Sequence, residues 1–335
     1  MPSIMGPMRA LPLIDYESHP AYVDLHGEAA SPREEALERL VPNLENKRRR
    51  LEQGAKVFAN RRRTASGDST ADALVRDGAV GVRVDDALLE PLKAAAAPML
   101  QALEALHAGR RAKGKPLKFQ HTQTDLCFNG DWTEAAAPCA DALGALIANC
   151  GVTELAETYY PGCAARLQSA CVRLNTERQP FFSRGDSVPD PKTIGMHIDS
   201  AASASLNGVL YLDEVGPDQG PFSYVRGSNH WEWELEDRVI RKAVDESRFL
   251  TGGDPVFFAL PPELRRRANF GADLVDDTPE SVELRSREVI YASDVCDLAL
   301  FDSDGVHRGG NVRVGRRPSI LFVMSIEPVK ARAAT

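Results

Sequence analysis

Met196-His197-Ile198-Asp199 sets an imidazole and a carboxylate two residues apart. On an extended chain, side chains at i and i+2 share a face, so both would point into whatever a sheet encloses. Alone, a His-x-Asp pair carries little information. A second histidine, His307, follows 307 − 197 = 110 residues later in DLALFDSDGVHRGGNVRVGRRPSILFVMS, between an apolar stretch ending at Phe301 and a new one after Arg317. Neighbouring strands of a β-rich fold can bring such distant residues together. Two imidazoles and one carboxylate on one face of an ion form the facial triad typical of non-haem iron(II), leaving adjacent positions open. Those positions suit a bidentate 2-oxo acid and O2.

A cosubstrate with a second carboxylate needs a cation at its far end, and a guanidinium fork supplies a bidentate, charge-assisted pair. Arg313, Arg316 and Arg317 lie beyond the glycine turn that follows His307. If the last strand starts at Arg317, then Arg317, Ser319 and Leu321 share one face and Arg316 takes the other. Arg317 is therefore the expected anion anchor and Arg316 the fallback. With Arg308, these arginines would give a globally acidic chain a cationic pocket. Arg173 and Asn175, on a strand just before the metal motif, either face the pocket and bind cosubstrate or an anionic substrate, or leave Arg173 in a surface ion pair. Gln168 is a weaker candidate.

The elements that must position these residues follow from pattern and composition. Forty Lys+Arg against 48 Asp+Glu give a net charge of −8, which excludes a broadly basic nucleic-acid binder. No stretch approaches the roughly 20 apolar residues of a membrane span. The opening twenty residues, broken by Pro2, Pro7, Pro12 and Asp15, lack the order of a secretory signal, so a cytoplasmic protein is expected. The six cysteines could form three disulfides but show no paired spacing, and buried thiols are expected. The basic runs Lys47–Arg50 and Arg61–Arg63 carry no interleaved aromatics and read as a solvated helix face.

Residues 1–30 read as an arm, and 31–335 as one catalytic domain. Within it, 31–160 form a mostly helical buttress, opening on a helix with Ser31 as N-cap, Pro32 at its first position and Glu34 in a capping box. A strand Ala79–Val84 and a helix from Asp86 to His107 follow; Lys113–Asp131 shows no periodicity, and Glu134–Cys150 is helical. From Ala165 the grammar changes to short strands: Ala165–Asn175, Thr193–Asp199, Ser205–Leu212, Pro221–Arg226, Val289–Tyr291, Asp297–Phe301 and Pro318–Ile326. The expected class is mainly β with flanking helices, its core at 161–330 a sandwich or double-sheet barrel. A polar, helical insertion at 231–287 interrupts it; this is a lid with Trp231 or Trp233 against substrate, a sheet-edge cover, or a homodimer contact.

Three ordered blocks carry a resemblance: HID at His197–Asp199, NGVLYLDEVGPDQGPFSYVRGSNHW, and DLALFDSDGVHRGGN with an arginine ten residues past its histidine. Together they resemble the phytanoyl-CoA dioxygenase-like family of Fe(II)/2-oxoglutarate oxygenases over roughly residues 165–326. The resemblance implies a double-stranded β-helix, or cupin-like jelly roll, with helices packed on one outer face. It further implies iron on His197, Asp199 and His307, 2-oxoglutarate held by an arginine in the position of Arg317, and O2 as oxidant. Gly220, Pro221, Gly227, Ser228 and His230 match the family's turn block, with Asn229 inserted, and His230 has no acidic partner at metal spacing, so it reads as structural. Related halogenases typically have a small residue where Asp199 stands, which favours hydroxylation, or desaturation, of a small-molecule substrate. The competing readings are a cupin-like metal-dependent isomerase or hydrolase without 2-oxoglutarate, and a non-catalytic jelly-roll binding module.

Overall fold

A computed structural model describes residues 33–67, 69–115, 117, 119–177, 192–193, 195–199, 203–231, 234–251 and 276–329. The arm, Ser31, Pro32 and Trp233 lie outside these residues. Helix α1 (Arg33–Ala59) is followed by α2 (Thr70–Asp77). Ser69 starts α2 by accepting the Asp72 N–H, and Gly78 ends it at φ 83°, a left-handed cap that a Cβ disfavours. Then come β1 (Ala79–Val82), α3 (Asp86–Ala112), β2 (Gln123–Phe128), β3 (Asp131–Trp132), α4 (Ala137–Asn149), α5 (Val152–Tyr159) and β4 (Cys163–Thr176). The second half holds β5 (Ser205–Tyr211), β6 (Phe222–Val225), α6 (Leu235–Thr251), α7 (Pro279–Ser286), β7 (Glu288–Tyr291), β8 (Leu298–Asp302), β9 (His307–Gly309) and β10 (Arg316–Pro328).

The strands form two antiparallel sheets, a seven-stranded one in the order β1-β8-β5-β10-β4-β2-β3 and a three-stranded one in the order β7-β6-β9. Period-two alternation divides the large sheet between two cores. Leu298 and Leu300 of β8, Val172 and Leu174 of β4, and Ile320 and Phe322 of β10 pack with helix residues such as Leu92, Leu143 and Ala156. The alternate positions, Ala299 and Phe301 of β8 with Val209 and Tyr211 of β5, face Phe222, Tyr224 and Tyr291 of the small sheet. Covered on both sides, β5 is buried at all seven positions. The result is a double-stranded β-helix core with helices on one outer face, mainly β as expected.

Three expectations need correction. The stretch around Gln123 to Trp132, which has no clear period, forms β2 and β3; β2 adds to β4 through a register shift between Asp125 and Cys127, and that irregularity erases the alternation. The Thr193–Asp199 segment is no strand: among its described residues, only His197 pairs, in an isolated antiparallel bridge to His307. The basic runs of α1 and its C-terminal extension are a solvated face only in part, at Arg48, Arg49, Arg50 and Arg63. Lys47 and Arg61 are buried, while Arg48 holds an exposed pair with Glu236 of α6.

Arg61 donates to Asp302 Oδ2 at 2.9 Å, and the Tyr159 hydroxyl donates to the same oxygen at 2.8 Å. Asn229 donates to the Tyr159 oxygen, and Tyr224 Oη to the Asp302 carbonyl. A buried carboxylate stripped of its cation bears a desolvation cost that nothing repays. Arg61→Met should therefore lower unfolding free energy in a denaturant titration by about 3–5 kcal/mol. Arg48→Met, which removes an exposed pair, should cost under about 1 kcal/mol. Equal losses from the two variants would contradict the assignment of Asp302 as the buried partner.

Candidate metal centre

The centre is built by backbone pairing. His197 N–H donates to His307 O at 2.9 Å and His307 N–H returns the bond to His197 O at 2.8 Å, so the two imidazoles emerge side by side with ring centroids 4.5 Å apart. Asp199 N–H donates to Ser303 O at 3.0 Å, which extends the register to the third residue. The turn before His307 is held from the opposite side, where Val306 N–H donates to Ser228 Oγ at 2.7 Å. The Gly-Ser-Asn-His turn thus supports His307, and His230 itself points away, its Nε2 bonding the Val75 carbonyl.

Each imidazole is oriented in the same way. His197 Nδ1 bonds Gly195 O at 2.7 Å and His307 Nδ1 bonds Gly305 O at 2.9 Å, each the carbonyl two residues upstream. A carbonyl only accepts, so the proton sits on Nδ1 and both Nε2 lone pairs are free to ligate. Asp199 Oδ1 lies 3.8 Å from His197 Nε2 and 3.5 Å from His307 Nε2. Those separations are long for hydrogen bonds, yet close to the about 3–3.5 Å between donors that each sit roughly 2.0–2.2 Å from one ion. One ligand atom from each residue falls within 4.8 Å of the others. The donor set is nitrogen, nitrogen and oxygen, and it fits a divalent first-row metal such as iron(II).

Electrostatics hold these groups in the ligating state. Burial, then the neighbouring His307, pushes His197 down to about 4. Burial alone would raise the Asp199 carboxyl, but His307, His197 and Lys242 outweigh it and bring it to about 2. His197 is thus neutral and Asp199 charged at neutral pH. Phe301, Phe222 and Tyr224 ring His307, with centroids 4.6, 5.9 and 6.3 Å away, and bury it. His197 keeps 42% of its side chain exposed and Asp199 29%, so the open side of the centre lies beside those two.

The arginines divide sharply. Arg317, in register with Asn175, is 6% exposed; its Nη1 donates to Gly310 O at 2.9 Å. It forms no carboxylate pair among the described residues, and burial pushes it down to about 10, with Tyr211 opposing and Arg173 assisting. Arg316 faces the other way, exposed, in pairs with Glu104 and Asp213. Arg313 pairs with Asp218, and Arg308 with Glu288, so the expected cluster of four cations shrinks to one uncompensated guanidinium. A Cβ on Gly309 would lie 2.8 Å from Arg317 Nη2; glycine there makes room for the fork. Gly309 is two residues along β9 from His307, which places the guanidinium about 6–7 Å along the strand from the metal ligand.

Ser319 is buried, in register with Arg173 on one side and Tyr211 on the other. Arg173 is half-buried, donates to Gln123 Oε1 at 2.8 Å, and lies near enough to weigh on both His197 and Arg317. It therefore belongs to the inner face with Asn175, which is buried. Gln168 sits mid-strand in β4, five residues or roughly 16 Å from Arg173, at the register shift of that strand. Trp231 is buried.

Two residues close to the triad went unread in the sequence. Asn207 of β5 donates through Nδ2 to Asp199 Oδ2 at 2.6 Å, leaving Oδ1 for the histidine side. Lys242 of α6 donates to the Asp199 main-chain carbonyl at 2.7 Å. Asn207 opens the NGVLYLD block, two residues before Val209, and its inward parity was the available signal. Lys242 offered none, because the helix and the carbonyl are joined only by tertiary packing.

Compared with protein-family models and with curated proteins, the chain matches none. Solved structures with some likeness include the non-heme alpha ketoglutarate dependent epimerase SnoN from nogalamycin biosynthesis, 16% identical, with 76% of this chain and 81% of that chain covered and a TM-score of 0.42. Another is EctD from S. alaskensis with 2-oxoglutarate and 5-hydroxyectoine, 16% identical over 78% of this chain and 77% of that one, TM-score 0.44. A third is AviO1 from Streptomyces viridochromogenes Tue57, 15% identical over 81% and 99%, TM-score 0.41. Likeness at this level assigns no residue of this chain a role.

Removing the Asn207 amide should let the Asp199 carboxylate turn. Asn207→Ala is expected to weaken binding of Co(II), used as an air-stable probe, by about 10- to 100-fold in a spectroscopic titration. Unchanged affinity would mean that Asp199 is oriented without Asn207.

Proposed function

We propose that the chain is an Fe(II)/2-oxoglutarate-dependent oxygenase of the phytanoyl-CoA dioxygenase-like kind, acting on a C–H bond of a small molecule. The observation that carries this reading is the pairing of the His197–Asp199–His307 triad with Arg317, a buried guanidinium that has no carboxylate partner among the described residues. A metal centre needing only water and substrate has no use for such a cation. A buried, uncompensated charge is costly, and a dicarboxylate bound at the metal by one end would neutralise it with the other.

In this reading His197 Nε2, His307 Nε2 and Asp199 Oδ1 hold the iron, and Asn207 keeps Asp199 monodentate. Arg317 receives the distal carboxylate of 2-oxoglutarate in a charge-assisted fork, with the Ser319 hydroxyl on the same face of β10. Asn175 and Arg173, directly opposite Arg317 and Ser319 on β4, bind cosubstrate or an anionic group of the substrate. When bound, iron would supply O2-dependent oxidative decarboxylation of 2-oxoglutarate to succinate and CO2, one oxygen atom of O2 entering succinate and the other serving to oxidise the substrate. The aromatic ring about His307 keeps water from the closed side, and the exposed edge of His197 and Asp199 marks the side from which substrate comes. Asp199 occupies a metal position as a carboxylate, which supports hydroxylation or desaturation over halide transfer. A cytoplasmic location is part of this proposal, and the six free cysteines are consistent with it.

Anaerobic addition of Fe(II) and 2-oxoglutarate should produce the weak visible charge-transfer band of the chelate. Arg317→Met should raise the 2-oxoglutarate Kd about 10- to 100-fold, the equivalent of one lost charge-assisted pair, while leaving iron affinity intact. Arg316→Met should change neither. Iron bound without the band would instead favour a metal-dependent isomerase or hydrolase. With the band present, a metabolite panel scored by succinate release would identify the substrate.

A further inference from the structure

Lys242 lies on α6, inside the segment that interrupts the β core, and is 1% exposed. Its Nζ donates to the Asp199 carbonyl at 2.7 Å and pairs with Asp304 Oδ1 at 3.1 Å. Asp304 stands three residues before His307, next to Ser303, whose carbonyl receives the Asp199 N–H. One ammonium therefore touches both chain segments that carry metal-ligating residues. The other cations of this cluster reach one segment only: Arg238 pairs with Asp304, and Arg61 with Asp302 and, at 3.7 Å, Asp304.

An apolar side chain would fill this space at far lower desolvation cost than an ammonium. What the ammonium adds is direction, because its acceptors are a main-chain oxygen on one ligand segment and a carboxylate on the other. Helix α6 is in turn fastened to α1 through Arg48–Glu236 and through Arg238, whose guanidinium lies 4.2 Å over the Phe58 ring. We infer that Lys242 is a positioning residue of the metal centre, fixing the Asp199 peptide relative to the His307 turn and making α6 part of the scaffold that sets metal affinity. The inference rests on the metal reading above and goes beyond it, since nothing in that reading requires the interrupting helix.

The test compares Lys242→Met with Arg238→Met in the full chain, with Co(II) as probe. Arg238→Met removes a partner of Asp304 without touching Asp199, and the Arg48–Glu236 pair still holds α6 to α1, so it should lower the thermal midpoint and leave the Co(II) Kd within about twofold. Lys242→Met should raise that Kd about 10- to 100-fold and alter the ligand-field spectrum of the bound ion. Equal Kd shifts in both variants, or none in Lys242→Met, would overturn the inference. Should Lys242→Met not fold, hydrogen exchange of the wild-type chain decides. Co(II) should slow exchange in peptides spanning 238–243 as well as in those spanning 196–199 and 303–309. Slowing confined to the latter two would overturn the role of Lys242 and leave the metal reading standing. A wild-type chain that binds neither Co(II) nor Fe(II) would overturn both.

Discussion

The exchange of two backbone hydrogen bonds between His197 and His307 is the constraint on which the rest of this molecule turns. It is a single β-bridge, not a strand pair, and it sets two imidazoles side by side from segments far apart in the chain. A lone bridge has little cooperative support of its own, so its partners must be held from outside. On the His307 side the support is continuous: β9 pairs with β6, Ser228 caps the Val306 amide, and Asp302 is anchored by Arg61 and Tyr159. On the His197 side, Asn207 and Lys242 supply it through Asp199.

Two kinds of buried charge coexist around this bridge. Behind the turn, Arg61, Arg238 and Lys242 surround Asp302 and Asp304, so that each charge finds an opposite within reach. Asp304 is held far below the usual carboxylate range by those cations, against its own burial. In front, Arg317 is buried, donates to the Gly310 carbonyl and has no carboxylate partner among the described residues. The first arrangement satisfies itself and stabilises the fold. The second leaves a buried charge without a carboxylate among the described residues, and the proposed role of Arg317 as an anion anchor rests on that contrast.

Legibility tracked the distance over which each interaction acts. The strands of the C-terminal half were readable because their alternation is local: Leu298, Ala299, Leu300 and Phe301 sort into two cores by parity alone. The same parity argument separated Arg317 from Arg316, which the register on Asn175 and Thr176 matches. It failed at β2, where a register shift breaks the period, and at His197, where a strand-like pattern forms one bridge. Arg61 looked like one more surface cation within a basic run, since its partner Asp302 is 241 residues away and nothing near it in sequence hints at burial.

By itself, then, the amino-acid sequence determined the residue types able to hold iron, the parity that points Arg317 inward, and the β character of the core, because side-chain chemistry and period-two alternation are properties of short segments. Tertiary structure alone decided that three of the four expected cations are neutralised by carboxylates from other elements, and that Asn207 and a lysine from the interrupting helix brace Asp199. Those outcomes depend on which distant groups share a low-dielectric space, where the distance to an opposite charge decides whether a charged side chain ties two elements together.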